Sequence, residues 1–163
     1  MTLLYFPLLR LSSWFAALGA LVALGAGLLT TASVVSRAIW NQPIAGDVEI
    51  TQMVIALAIS LCLPHCQARK ANILVDFFTQ KLSSGRLRIL DAMGCFFLAL
   101  IYAFLAWRTS AGAVSVREAG ETTMIISLPM WWAYACLAPG LALASLIALL
   151  QSFGASAPQA TPT

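Results

Sequence analysis

Any metal centre or soft nucleophile in this sequence would have to be built from one histidine, His65, and four cysteines, Cys62, Cys66, Cys95 and Cys136. Cys62 and Cys66 are spaced i,i+4, which puts both thiols on one face of a helix, while His65 adjoins Cys66 but is rotated about 100° from it. A structural zinc site needs four ligands, more than this cluster offers, and haem held by paired histidines needs a second imidazole. A Cys62–Cys66 disulfide would strain a helix. The thiols therefore read as small apolar packing residues. His65 could relay protons, but the sequence around it offers no carboxylate, so a structural part is expected. No Gly-rich phosphate loop and no Ser/His/Asp grouping is visible. No catalytic, cofactor-binding or metal-ligating residue is assigned, and an enzyme is not expected.

The elements that would have to position these residues are apolar. Uncharged stretches run over Leu11–Ser36, Ile50–Ala68, Ala92–Trp107 and from Thr122 to the C-terminus. Charged residues make up 9% of the chain and hydrophobic ones 61%, with a mean hydropathy of +0.89. A soluble domain carries about a quarter of its residues as Asp, Glu, Lys and Arg, whereas roughly 20 apolar residues of helix cross a hydrocarbon core of about 30 Å. The membrane is the solvent for most of this chain. The expected fold class is an all-α membrane protein, with four transmembrane helices plus an amphipathic interfacial helix between the second and third. Residues 1–153 form a single domain, and 154–163, rich in Ala, Pro, Thr and Ser, are expected to be a disordered tail. The first stretch follows Arg10 and could be taken for a secretory signal. Its 26 uncharged residues exceed the about 7–15 of a signal core, so it reads as an uncleaved first helix.

With four spans, both termini and the loop between the second and third helices share one side. That side holds Arg10, Arg69, Lys70, Lys81, Arg86 and Arg88, and the other holds Arg37, Arg108 and Arg117. The positive-inside rule places the larger group, and both termini, in the cytoplasm. The net charge of +3 follows these boundaries, so nucleic acid is not an expected partner.

The polar segments punctuate the helices. In the first outward loop, Trp40 suits the headgroup belt, while Pro43 and Gly46 mark a turn. Asp47 or Glu49 opens the second helix, where negative charge suits the N-terminus. Glu49, at the membrane edge, could pair with an arginine of a neighbouring helix end or serve as a solvated cap. Over Asn72–Leu82, Ile73 and Phe77, and Leu74, Phe78 and Leu82, recur at i,i+4 on an apolar face, with Lys70, Asp76 and Lys81 elsewhere. That segment reads as a helix lying in the cytoplasmic interface, its apolar face on lipid or a partner. Arg88 and Asp91 pair at i,i+3 and lengthen the third helix, which continues outward past Arg108 to Arg117. Glu49, Asp76, Arg88 and Asp91 are thus read as structural polar residues at helix edges. Ala16, Ala20, Ala23 and Gly27 form a small-residue seam on the first helix, and Gly140, Ala144 and Ala148 one on the last, each open to packing within the chain or on another subunit. Pro64 loosens the end of the second helix and Pro139 kinks the fourth. No charge lies deep inside the four stretches, whereas a pump or antiporter commonly needs an intramembrane carboxylate. The residues themselves lead to an accessory subunit of a larger membrane assembly.

The order of this punctuation resembles the small integral-membrane subunit of tripartite ATP-independent periplasmic (TRAP) transporters, the DctQ-like family. The resemblance is carried by Trp40–Glu49 with Gly46 and Glu49, and by the block from Cys62-Leu63-Pro64 to Arg69-Lys70-Ala71-Asn72-Ile73-Leu74-Val75-Asp76. Gly120-Glu121-Thr122-Thr123, followed by Leu128-Pro129-Met130-Trp131-Trp132, also matches, and the whole covers residues 10–150. Asn72 departs from the pattern, since family members often have His there. The resemblance implies a secondary, ion-gradient-driven importer of an organic acid in the bacterial inner membrane. Its implied partners are a large membrane permease subunit, a periplasmic solute-binding protein and membrane lipid, with no cofactor. The small subunit would brace the large one, with Ile73, Leu74, Phe77, Phe78 and Leu82 the candidate brace against the bilayer or that partner. It would help dock the binding protein through Arg37, Asp47, Arg117, Glu118 and Glu121, since exposed charges guide encounter and register. A self-sufficient small multidrug-type exporter is the alternative, or a membrane anchor subunit of an enzyme. The first lacks a membrane carboxylate and the second lacks ligands.

Overall fold

The computed structural model describes residues 2–69 and 84–153, with side chains over 7–69 and 89–153. Among the described residues four helices follow one another: α1 (Thr2–Trp40), α2 (Asp47–Ala68), α3 (Ser84–Glu118) and α4 (Trp131–Ser152). Each contains a stretch long and apolar enough to cross a membrane, which bears out the all-helical, four-span reading. The interfacial helix expected over Asn72–Leu82 lies outside the described residues, and with it Asp76 and the brace residues Ile73, Leu74, Phe77, Phe78 and Leu82. So do the 154–163 tail and the side chain of Arg88.

The helices stand in a row. α1 packs on α2, α2 on α4, and α4 on α3. Short connections make α1–α2 and α3–α4 two antiparallel hairpins, which meet along the parallel pair α2 and α4. The inner helices have 22 residues each, or about 33 Å, while the outer ones have 39 and 35, about 58 and 52 Å.

Small residues decide each seam. On α1, Ser12, Gly19, Ala26 and Ser33 recur every seventh position and are all buried, a repeat that keeps one stripe facing a near-antiparallel neighbour. A Cβ at Gly19 would stand 2.7 Å from the Cys62 sulfur. The seam expected on α1 is therefore displaced: Ala20, Ala23 and Gly27 are exposed. Two of the true seam residues are serines, whose hydroxyls are satisfied inside the chain. Ser12 donates to the Leu9 carbonyl at 2.9 Å and Ser33 donates to Asp47. On α4 the expected seam is internal, with Gly140, Ala144 and Ala148 all buried.

The two hairpins are fastened at mid-height and at the inner end. Ser60 of α2 donates to the carbonyls of Cys136 and Leu137, at 3.1 and 3.0 Å. Pro64 has no N–H for the Ser60 carbonyl, and that carbonyl lies directly against Gly140, where any Cβ would collide. At the inner end the buried Gln67 and Gln151 bond reciprocally. Gln67 Nε2 donates to Gln151 Oε1, and Gln151 Nε2 to the Gln67 carbonyl, both at 2.9 Å. Beside them Ala68, Leu143 and Ile147 form an apolar cluster onto which Leu8, Leu9, Phe15 and Leu150 pack.

Candidate partner-docking site at the outer end

The rim that the positive-inside rule places outward is built from the ends of all four helices. α1 stops where Asn41, at φ 54°, returns its N–H to the Arg37 carbonyl at 3.0 Å. Gly46, at φ 77°, then turns the chain into α2. Its left-handed backbone suits glycine, and the Ile126 side chain lies 2.5 Å from where a Cβ would stand. Asp47 accepts from Ser33 of α1 and from the Val48 N–H at 2.8 Å, so its carboxylate ties α1 to α2.

α3 ends in a Schellman cap. The Gly120 N–H reaches the Arg117 carbonyl at 3.2 Å, and the Glu121 N–H reaches Val116 at 3.3 Å. Thr122 then pairs with Pro129. The Thr123 N–H donates to Leu128 O at 2.9 Å and the Met130 N–H to Glu121 O at 3.1 Å. Thr123 Oγ1 accepts from the Leu128 N–H at 3.0 Å, closing the loop from inside.

Glu49 fixes this loop from the opposite hairpin. Its two oxygens accept the N–H groups of Ile125 and Ile126, at 2.9 and 3.2 Å. Ile126 is seated on Gly46, and the two side chains before it project from the loop. Met124 is 99% exposed and Ile125 62%. The result is a short apolar knob on a hydrogen-bonded base.

The expected docking residues divide. Arg37, Glu118 and Glu121 are exposed on this rim. Asp47 is half-buried and occupied by Ser33. Arg117 is exposed, but its guanidinium sits 5.2 Å from the centroid of the Trp131 ring, within cation–π range. Glu49 has neither of the expected roles, because both its oxygens are taken by loop backbone. Asp91 is half-buried near the inner end of α3. Sequence reasoning missed Met124 and Ile125. Their signal was the apolar run Met124-Ile125-Ile126 between Gly120 and Pro129, a segment too short to be a helix and without a visible surface to cover. The residues singled out for metal or proton chemistry sit apart from this rim. The cysteines are free thiols, and His65 Nδ1 is buried without a partner among the described residues.

A family model described as the DctQ component of tripartite ATP-independent periplasmic transporters matches residues 26–157. The chain belongs to this family. It is a membrane component of a TRAP transporter, and the family is one of transporter parts rather than enzymes. The match takes in α1 from Ala26, all of α2, α3 and α4, and the whole outer rim. No curated protein and no solved structure matches the chain.

Proposed function

We propose that this DctQ-family chain is the small subunit of an ion-gradient-driven importer of an organic acid, lying in the inner membrane with both termini cytoplasmic. It braces a large permease subunit and offers its outer rim to the solute-loaded binding protein. The observation that supports docking is the knob, where Met124 is 99% exposed on a base that Glu49 holds. A pre-ordered apolar contact loses little entropy on binding. Arg37, Glu118 and Glu121, exposed on the same rim, supply charges that steer encounter. The interior polar groups at Ser60, Gln67 and Gln151 bond to one another and to backbone, which fits a bracing part better than a solute path.

The test is uptake by the complete transporter carrying Met124→Asp, Glu121→Lys or Arg37→Glu. The binding-protein concentration for half-maximal uptake should rise, by roughly five- to thirtyfold for Met124→Asp if the knob is a hot spot. The membrane subunits should still co-purify. Wild-type uptake in all three variants would remove the docking role.

A further inference from the structure

Arg108 ends the uncharged window of α3 without ending the helix, which continues to Glu118. Packing against α4 fixes its depth. Gly112 lies against Tyr134, 3.7 Å from a built Cβ to the ring, and Ser145 donates to the Ala99 carbonyl at 2.9 Å. Helical spacing between these two levels puts the backbone of Arg108 at about the height of Leu137, the turn to which Ser60 bonds. Leu137 is six residues inside Trp131 and Ser60 thirteen inside Asp47, or about 9 and 20 Å along their helices. The Cα of Arg108 thus lies about two turns inside the start of α4.

Its direction matters as much as its depth. Cys95, Ala99, Tyr102, Ala106 and Ala113 line the α3 face towards α4. Helical spacing puts Arg108 on the far side with the exposed Phe97, Ile101 and Phe104. No hydrogen bond or ion pair holds it among the described residues. Lipid suffices for the outward face of α1, where Trp14, Leu18, Leu21, Leu24 and Leu28 are all apolar and exposed. It does not suffice for a charge at this depth, and such residues characteristically pair within a protein.

Building on the proposed pairing with a large membrane subunit, we infer that this outer face of α3 is the docking surface for it. A transmembrane helix of that subunit covers Phe97, Ile101 and Phe104 and brings a carboxylate to Arg108. The pair is bidentate and fixes the height at which the two subunits engage.

The test uses the whole complex, with the small subunit tagged and extracted in mild detergent. Arg108→Leu should lower the co-purified large subunit by roughly tenfold or more, as breaking a buried ion pair does, while the small subunit itself accumulates at least as well. Arg108→Lys should fall between the two. A photo-crosslinking residue at Ile101 should form adducts with the large subunit, and one at Leu21 on α1 should not. Undiminished co-purification of Arg108→Leu would overturn the anchor and assign the guanidinium to lipid headgroups. Adducts from Leu21 in place of Ile101 would overturn the face. A wild-type chain that retains no large membrane protein would remove the accessory function itself, and this surface with it.

Discussion

Glu49 lies in the first turn of α2, and its two oxygens accept the N–H groups of Ile125 and Ile126 in the loop between α3 and α4. Carboxylate-to-amide bonds are stronger than neutral ones, so this residue shapes a surface of which it is not itself part. Glu49→Ala should leave both amides to water, and amide exchange at Ile125 and Ile126 should accelerate severalfold while α2 and α4 keep their protection. Glu49→Gln, which still offers one oxygen, should give an intermediate rate. Unchanged exchange in the alanine variant would show that the loop holds itself. The pairing could not be read from the sequence, because Glu49 and Ile125 are 76 positions apart and a carboxylate at a helix start already has a sufficient local explanation. Asp47 misled for the same reason. As a charge beside a turn it looked available, yet Ser33 occupies it from the preceding helix.

At the scale of elements, the crossing of α2 and α4 depends on three residues that each give up something ordinary. Pro64 withholds an N–H, Gly140 has no side chain, and Ser60 uses its hydroxyl on the neighbouring helix. Gly140→Ala should force the helices apart and cost about 1–3 kcal/mol, the usual range for overpacking. Ser60→Ala should cost about 0.6 kcal/mol, typical of an interhelical hydrogen bond in a membrane. Reversible unfolding of the detergent-solubilised chain gives both values, and a costlier serine change would contradict this ordering. The α4 seam was legible because Gly140, Ala144 and Ala148 are small and apolar together. The α1 seam was not, because Ser12 and Ser33 look like polar interruptions until their acceptors are known.

For the whole molecule, the helices and their polar ends were legible, since hydropathy and turn residues are local properties. The row α1, α2, α4, α3 was not, because it is set by contacts between distant seams. The proposed orientation can be checked with a membrane-impermeant thiol reagent on variants whose native cysteines are replaced. Met124→Cys should react from outside intact cells and Arg69→Cys only after permeabilisation, and the reverse pattern would invert the protein. The clasp across the two hairpins has one more consequence, for biogenesis. Each hairpin can insert by itself, since its helices satisfy their own backbone groups. The loop bearing Met124, however, gains its two bonds to Glu49 only when the other half is in place. The knob therefore reaches its full set of hydrogen bonds only in a chain whose two halves have closed on each other.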